Sequence, residues 1–266
     1  MTGEFERALA FTHRVQDRSS TRVEPWTWGS ALFNDTIPQR YYSNLVRVER
    51  PLAGVSATDL VRETDRTLEG FEHRMILVDE DGDAEGLAPD LLALGYEAER
   101  SLLMSLHREP DRAPDPGAAE EVSFEDARGF LTAIYLRDLP SADLQLAERF
   151  ADFRRFVQRA MNGRFFAQRV DGEIAGLCEL YLLDGTAQVE HVDTLEPFRG
   201  RGIARNVVLR AVREARAAGA GTVLIEADRD DWPKELYRRF GFDEIGRTWA
   251  FMKKPRPSPS DATGRP

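Results

Sequence analysis

The sequence contains one cysteine, Cys178, and lysine only at Lys234, Lys253 and Lys254. A single cysteine excludes an intrachain disulfide framework and suits a reducing compartment, so a cytoplasmic protein is expected. With lysine scarce, almost all positive charge is arginine, a pattern of coding bias more than of mechanism. Positive charge is also the minority sign: 36 Lys and Arg face 46 Asp and Glu, a formal net charge of −10. Non-specific nucleic-acid binding runs on phosphate neutralisation by cations, so no nucleic-acid partner is expected. No apolar run approaches the roughly 18 residues of a bilayer span. Residues 1–16 interleave Glu4, Glu6, Arg7, His13 and Arg14 with their apolar positions, which leaves no signal-peptide core. Neither a membrane span nor an export signal is therefore expected. The histidines His13, His73, His107 and His191 have no metal-ligand spacing, and no metal site is expected.

What remains has the balance of an ordinary globular chain, 42% hydrophobic and 31% charged over 266 residues, enough for one large domain or two of usual size. The clearest break is at 108–118, where Pro110, Pro114 and Pro116 forbid helix and central strand, so this stretch reads as a linker. Residues 255–266 hold four prolines and no large apolar residue and read as a disordered tail. The expected division is an N-terminal lobe over 1–107 and a second domain over 119–254.

The second domain alternates helical and strand periods. Helices are expected at 124–137 and 143–161, and a strand at 164–170. Asp171-Gly172 and Asp184-Gly185 are type I′ hairpin signals joining that strand to two more, 174–183 and 187–195. Residues 202–218 form a strongly amphipathic helix with the stripe Ile203, Val207, Val208, Ala211, Val212 and Ala215, capped by Gly219. A buried strand at 222–226 follows, then a helix from about 232 to 240 capped by Asp230 or Asp231, and two last strands over 242–252. In the first half, strands are expected at 26–33, 43–49, 74–79 and 100–107, and helices at 56–71 and 87–94. An internal repeat links the halves: Leu91-Leu-Ala-Leu-Gly95-Tyr96 before an apolar strand parallels Tyr237-Arg-Arg-Phe-Gly241-Phe242 before another.

The chemistry is concentrated after the strand ending at Leu195. Arg199-Gly200-Arg201-Gly202-Ile203-Ala204 opens a helix, so successive backbone N–H groups, the helix dipole and two arginines converge on one spot suited to a pyrophosphate. The dinucleotide fingerprint requires glycine where Arg205 stands, and no Gly-Lys-Ser/Thr triplet exists for a P-loop. Arg199-x-x-Gly202-x-Ala204 instead resembles the Arg/Gln-x-x-Gly-x-Gly/Ala signature of the GNAT superfamily of acyl-CoA N-acyltransferases. Leu236-Tyr237-x-x-x-Gly241-Phe242 is similar to that family's downstream Leu-Tyr-x-x-x-Gly-Phe element. The resemblance covers about 120–254.

The resemblance implies a mixed α/β sheet flanked by helices, a tandem GNAT-like arrangement if the first half shares the fold, and acetyl-CoA as co-substrate. Main-chain groups of Val192, Asp193 and Thr194 would line the pantetheine arm, and the amides of Arg199, Gly200, Arg201, Gly202, Ile203 and Ala204 would hold the pyrophosphate. Tyr237 falls on the position of the acid that protonates the leaving thiolate. A phenol with a pKa near 10 is protonated at neutral pH and suits that role. The base is open among Glu190, which alternation places on one face with Gln188 and Val192, and Glu179 or Tyr181 on the neighbouring strand. His191 points the other way unless a bulge re-aims it. Cys178 has no activating context and reads as a packed thiol.

The first half has no counterpart of the loop, and Leu91 stands where the repeat aligns Tyr237, so it reads as a degenerate lobe. The expected activity is transfer of an acetyl group to a primary amine of a small molecule or peptide, by a monomer or homodimer. A non-catalytic acyl-CoA-binding protein is the competing reading, and transfer to a hydroxyl a third.

Overall fold

A computed structural model describes residues 3–115, 117–139 and 142–255. In chain order the elements are α1 (Gly3–Arg18), β1 (Arg22–Trp26), β2 (Gly29–Phe33), β3 (Leu45–Val48), α2 (Ala57–Thr67), β4 (Arg74–Val78), α3 (Asp81–Ala93) and β5 (Glu97–Leu106). They continue with β6 (Glu120–Val122), α4 (Phe124–Asp138), α5 (Leu144–Ala160), β7 (Arg164–Val170), β8 (Glu173–Leu183) and β9 (Thr186–Thr194). The last four are α6 (Ile203–Ala217), β10 (Thr222–Asp228), α7 (Pro233–Arg239) and β11 (Phe242–Lys253). Local chemistry sets many of these bounds. Ser56 accepts from the Asp59 amide at the start of α2, Ser123 and Asp126 form a capping box on α4, and Asp143 caps α5. Both hairpin turns have the positive φ that type I′ requires, at Asp171 and Gly172 and again at Asp184 and Gly185.

The described residues divide into two compact units, one holding 3–19 and the described part of 101–246, the other 20–100 and 247–255. In the second of these, β1, β2 and β3 form an antiparallel meander, β3 pairs parallel with β4 across the α2 crossover, and residues 249–253 of β11 pair antiparallel with β4. Its core gathers Val46, Leu60, Ile76, Leu91, Tyr96 and Phe251. In the other unit, β6 through β9 form the meander, β9 pairs parallel with β10 across the α6 crossover, and residues 101–105 of β5 pair antiparallel with β10. The same order of pairings therefore occurs twice, and each unit is completed by a strand from the opposite half of the chain. The repeated helix ends coincide with glycines of positive φ, Gly95 at +86° and Gly241 at +100°.

This exchange moves the expected boundaries of 1–107 and 119–254. Periodicity defines strands but carries no record of which strand each will pair with, so β5 and β11 were divided by chain order. Helix α1, absent from the expectation, belongs with 101–246: Glu4 pairs with His107 at 3.0 Å, and the Phe5 ring lies where a Cβ on Gly246 would be, 2.1 Å away. The linker is tied down over its described residues, with Arg108 paired to Asp243 at 3.0 Å and the Asp111 amide donating to the Arg239 carbonyl. Four further bounds differ from the sequence expectation. Residues 26–33 fall in a hairpin turning at Thr27-Trp28, 242–253 make one strand and not two, a short β6 was not foreseen, and α7 is capped at Trp232 without an acidic side-chain cap. Residues 256–266, most of the expected tail, lie outside the described residues. Among the described residues no helix is long and apolar enough to cross a membrane.

Candidate active site

The site begins where two strands part. β9 and β10 are paired from Thr186/Thr222 to Val189/Ile225, where the ladder ends although both strands run on. Beyond that point β9 keeps its β8 partners as far as Thr194/Gly176, and β10 keeps its β5 partners as far as Asp228/Ser101. Among the described residues the β9 edge turned towards β10 thus carries no β10 ladder over 192–194. One extra residue in β9 accompanies the parting: Glu179 faces Glu190 but Leu177 faces Asp193, and His191 takes a φ of +48°. This bulge resets the alternation. Glu190 shares a face with Gln188, as expected, but Val192 does not; it packs with Cys178, Val189, Val207 and Tyr237 on the opposite face.

On that opposite face lies the anion nest. Gly202, at φ +80°, is the N-cap of α6 and offers no side chain, so the amides of Ile203, Ala204 and Arg205 have no intrahelical partner; the first closing bond is from Asn206 N–H to the Gly202 carbonyl. Gly200 is also left-handed, at φ +76°. A cavity of about 650 Å³ runs from Val192, Asp193 and Thr194 past this turn to Tyr237 and Trp232. Arg199, Arg205 and Arg239 stand on its wall, giving it the positive lining that a polyanion requires. The Arg199 guanidinium also braces the turn by donating to the Thr194 carbonyl at 3.3 Å. Inside the mouth, the Thr194 hydroxyl is buried and has no hydrogen-bond partner among the described residues. An open strand edge, an uncapped helix start, an orphaned hydroxyl and a basic wall together fit an elongated phosphorylated ligand such as acyl-CoA.

Tyr237 lines the same cavity from α7 and is only 7% exposed. Burial raises its phenol pKa, and the Glu190 charge raises it further, so the hydroxyl keeps its proton at neutral pH. Across the sheet, the face that carries Glu190 holds a buried polar cluster. Arg154 of α5, which the sequence reading missed, donates through Nε and Nη2 to the two oxygens of Glu179, each at 2.8 Å, and Nη2 also reaches the Tyr181 hydroxyl. Tyr181 in turn donates to Glu179 at 2.9 Å. Desolvation opposes the charge on Arg154, and Glu179 together with Tyr181 and Tyr135 more than offsets it. Glu179 and Tyr181 are thus committed to each other and to Arg154. Nothing in the sequence signals this, because Arg154 sits among Phe150, Phe153 and Val157 like any arginine on a helix border.

Glu190 is held differently. It accepts one hydrogen bond from Gln188 Nε2 and lies half-buried at the parting of the strands. Burial lifts its carboxyl from the ordinary 4.5 to about 7; the Glu226 charge at the next position of β10 adds to the rise, and Arg154 opposes it. Asp193 lies nearby and is raised by burial, but Arg137 of α4 holds it at 2.9 Å. Cys178 is fully buried, its Sγ 3.3 Å from the Val207 carbonyl, and burial pushes its pKa up, the reverse of an activated thiol. Among the described residues no group of three or more His, Cys, Asp or Glu is placed to hold a metal.

Comparison with known proteins agrees with this geometry. The acetyltransferase (GNAT) family profile matches residues 128–242. A conserved protein of unknown function from Staphylococcus epidermidis superposes with a TM-score of 0.70 at 16% identity, covering 89% of this chain and 95% of that one. A GCN5-related N-acetyltransferase from Kribbella flavida gives 0.64 at 18% identity, covering 98% and 99%. A tandem GNAT protein of the clavulanic acid biosynthesis pathway gives 0.54 at 13% identity, covering 80% and 75%. At these identities the likeness establishes the fold. Among curated proteins no significant match exists.

Proposed function

Since residues 128–242 form a GNAT-family acetyltransferase domain within a tandem GNAT-like fold, we propose that this chain is an N-acetyltransferase acting on a primary amine of a small molecule or peptide. The observation that carries the reading is the placement of Glu190 and Tyr237 on opposite faces of the sheet, at the one point where β9 and β10 part. Acetyl-CoA, when bound, would supply the activated thioester carbonyl. The amides from Gly200 to Ala204 with Arg199 would hold its pyrophosphate, and the open edge of Val192, Asp193 and Thr194 its pantetheine arm.

An amine reaches the enzyme mostly as ammonium and must lose a proton before it can attack. A carboxyl held at about 7 is half ionised at neutral pH and strong enough as a base to take that proton, directly or through a water. Glu179 and Tyr181 are poorer bases, because their oxygens are already bound within the Arg154 cluster. On the other face the Tyr237 hydroxyl, protonated throughout the working range, would donate to the departing sulfur. With the two groups on separate faces, the proton taken and the proton given do not compete for one site.

The degenerate first lobe remains part of the proposal. Its unit repeats the order of pairings but has Leu91 where the repeat places Tyr237, so one acyl-CoA is expected per chain. The test is a thiol-release assay with acetyl-CoA across a broad amine panel. Amine-dependent release of free CoA is the expected result. Saturable CoA binding without release by any amine would show the non-catalytic alternative instead.

A further inference from the structure

A fully enclosed arginine is expensive, and an apolar residue of similar length would satisfy the α5 packing at lower cost. Arg154 is nevertheless buried to 3% exposure, with Glu179 at 1% and Tyr181 at 2%. Its position in the ladder connects it with the reacting side of the sheet. Glu179 is the direct β8 partner of Glu190, and Tyr181 the direct partner of Gln188, whose Nε2 donates to Glu190. The four side chains therefore form a two-by-two patch beneath α5, with Arg154 fastened to the β8 pair and Glu190 in the β9 pair. Gln188 Oε1 is buried there with no hydrogen-bond donor among the described residues.

We propose that Arg154, held in place by Glu179, is a positioning residue that fixes the electrostatic setting in which Glu190 gains and loses its proton. The proposal rests on the reading of Glu190 as the base. The groups around Glu190 are Arg154 from α5, Glu179 and Tyr181 from β8, Gln188 on its own strand and Glu226 from β10, with Tyr237 of α7 on the opposite face close enough to feel its charge. Of these, Arg154 alone is a cation. Arg154 lowers the Glu190 pKa and Glu179 raises it, with the influence of Arg154 the larger. The pair is thus neutral as a whole but not at Glu190, where it leaves a net pull towards the ionised form.

Opposite signs make this testable without turnover. The full chain is labelled with glutamate carrying ¹³C at the carboxyl carbon, and the Glu190 resonance is assigned by its loss in Glu190→Gln. Its titration midpoint is then compared among variants. Glu179→Gln leaves Arg154 without a countercharge, and the midpoint should fall by on the order of one pH unit. Arg154→Met with Glu179→Gln removes both charges while keeping the interior neutral, and the midpoint should rise by about half a unit. Arg154→Met alone leaves a bare buried carboxylate and Glu179→Gln a bare buried guanidinium, and either can fail to fold; the double variant keeps the interior neutral, and a midpoint that does not rise in it overturns the proposal by itself. A purely structural role predicts no movement, or movement in one direction for both, and either result overturns the proposal. The pH profile of turnover separates the underlying reading. An acidic limb that survives in Glu190→Gln refutes Glu190 as the base, whereas a limb that vanishes there while the midpoint stays fixed in the Arg154 and Glu179 variants refutes only this inference.

Discussion

Replacing Glu190 by glutamine preserves the side-chain shape and an acceptor oxygen for Gln188 Nε2, but deletes the charge. The wild-type carboxyl is moved from 4.5 to about 7, mainly by burial. At roughly 1.4 kcal/mol per pH unit, holding that carboxylate ionised in the folded state costs up to about 3.5 kcal/mol. The folded-state value is raised, so the associated stability is complete below pH 4.5 and is lost as pH rises through 7. Glutamine has no charge to pay for. The variant should match wild type near pH 4.5 and exceed it by about 2–3 kcal/mol at pH 8, with most of the divergence between. Urea unfolding at half-unit pH steps measures both curves. The same substitution should lower kcat by about 10²- to 10⁴-fold, because the proton acceptor is gone. A stability gain that does not change between pH 5 and 8 would refute the reasoning, since the carboxyl would then titrate alike folded and unfolded. Loss of both activity and stability would mean that Glu190 is a structural group.

Three other substitutions or reactions probe the rest of the site. Tyr237→Phe should lower kcat by roughly 10²-fold or more while leaving CoA affinity within a factor of two, as isothermal titration with CoA would show. Gly176→Ala places a Cβ 2.4 Å from Ile203 Cγ2 and 3.0 Å from the Asp193 carbonyl, so it must push the start of α6 away from β8; the KM for acetyl-CoA should rise on the order of tenfold with a smaller change in kcat, read from initial rates. Cys178 should resist a soluble disulfide reagent in the folded protein and react once urea unfolds it, followed by absorbance, because its thiol is fully buried and its pKa raised.

Much of the second domain was legible in the sequence because its signals are local. The two Asp-Gly turns, the stripe of α6 and the capping residues of α4 and α5 act within a few positions of themselves, so residue order is enough to locate them. The left-handed Gly200 and Gly202 ahead of an uncapped helix belong to the same class, which is why the loop from Arg199 to Ala204 could be located by sequence alone. Pairing is not local. The sequence defines β5 and β11 as apolar strands, but their partners depend on which edges remain open once each meander has formed, and that exchange appears only in the folded chain. The bulge at His191 is similarly invisible, because one extra residue on β9 is defined only against the residues of β8 that face it. By inverting the alternation after Glu190, it places Val192 on the opposite face from Glu190, where the pairing with β10 has ended. The electrostatics are the most distant from the sequence. A carboxyl at about 7 requires burial, the neighbouring charge of Glu226 and the opposing Arg154, contributed by β9, β10 and α5. Residue types and spacing were enough to single out the proposed donor loop and the two side chains proposed for catalysis, Glu190 and Tyr237. Only tertiary structure distinguished Glu190 from Glu179, because the difference lies in which carboxylate a buried arginine already holds.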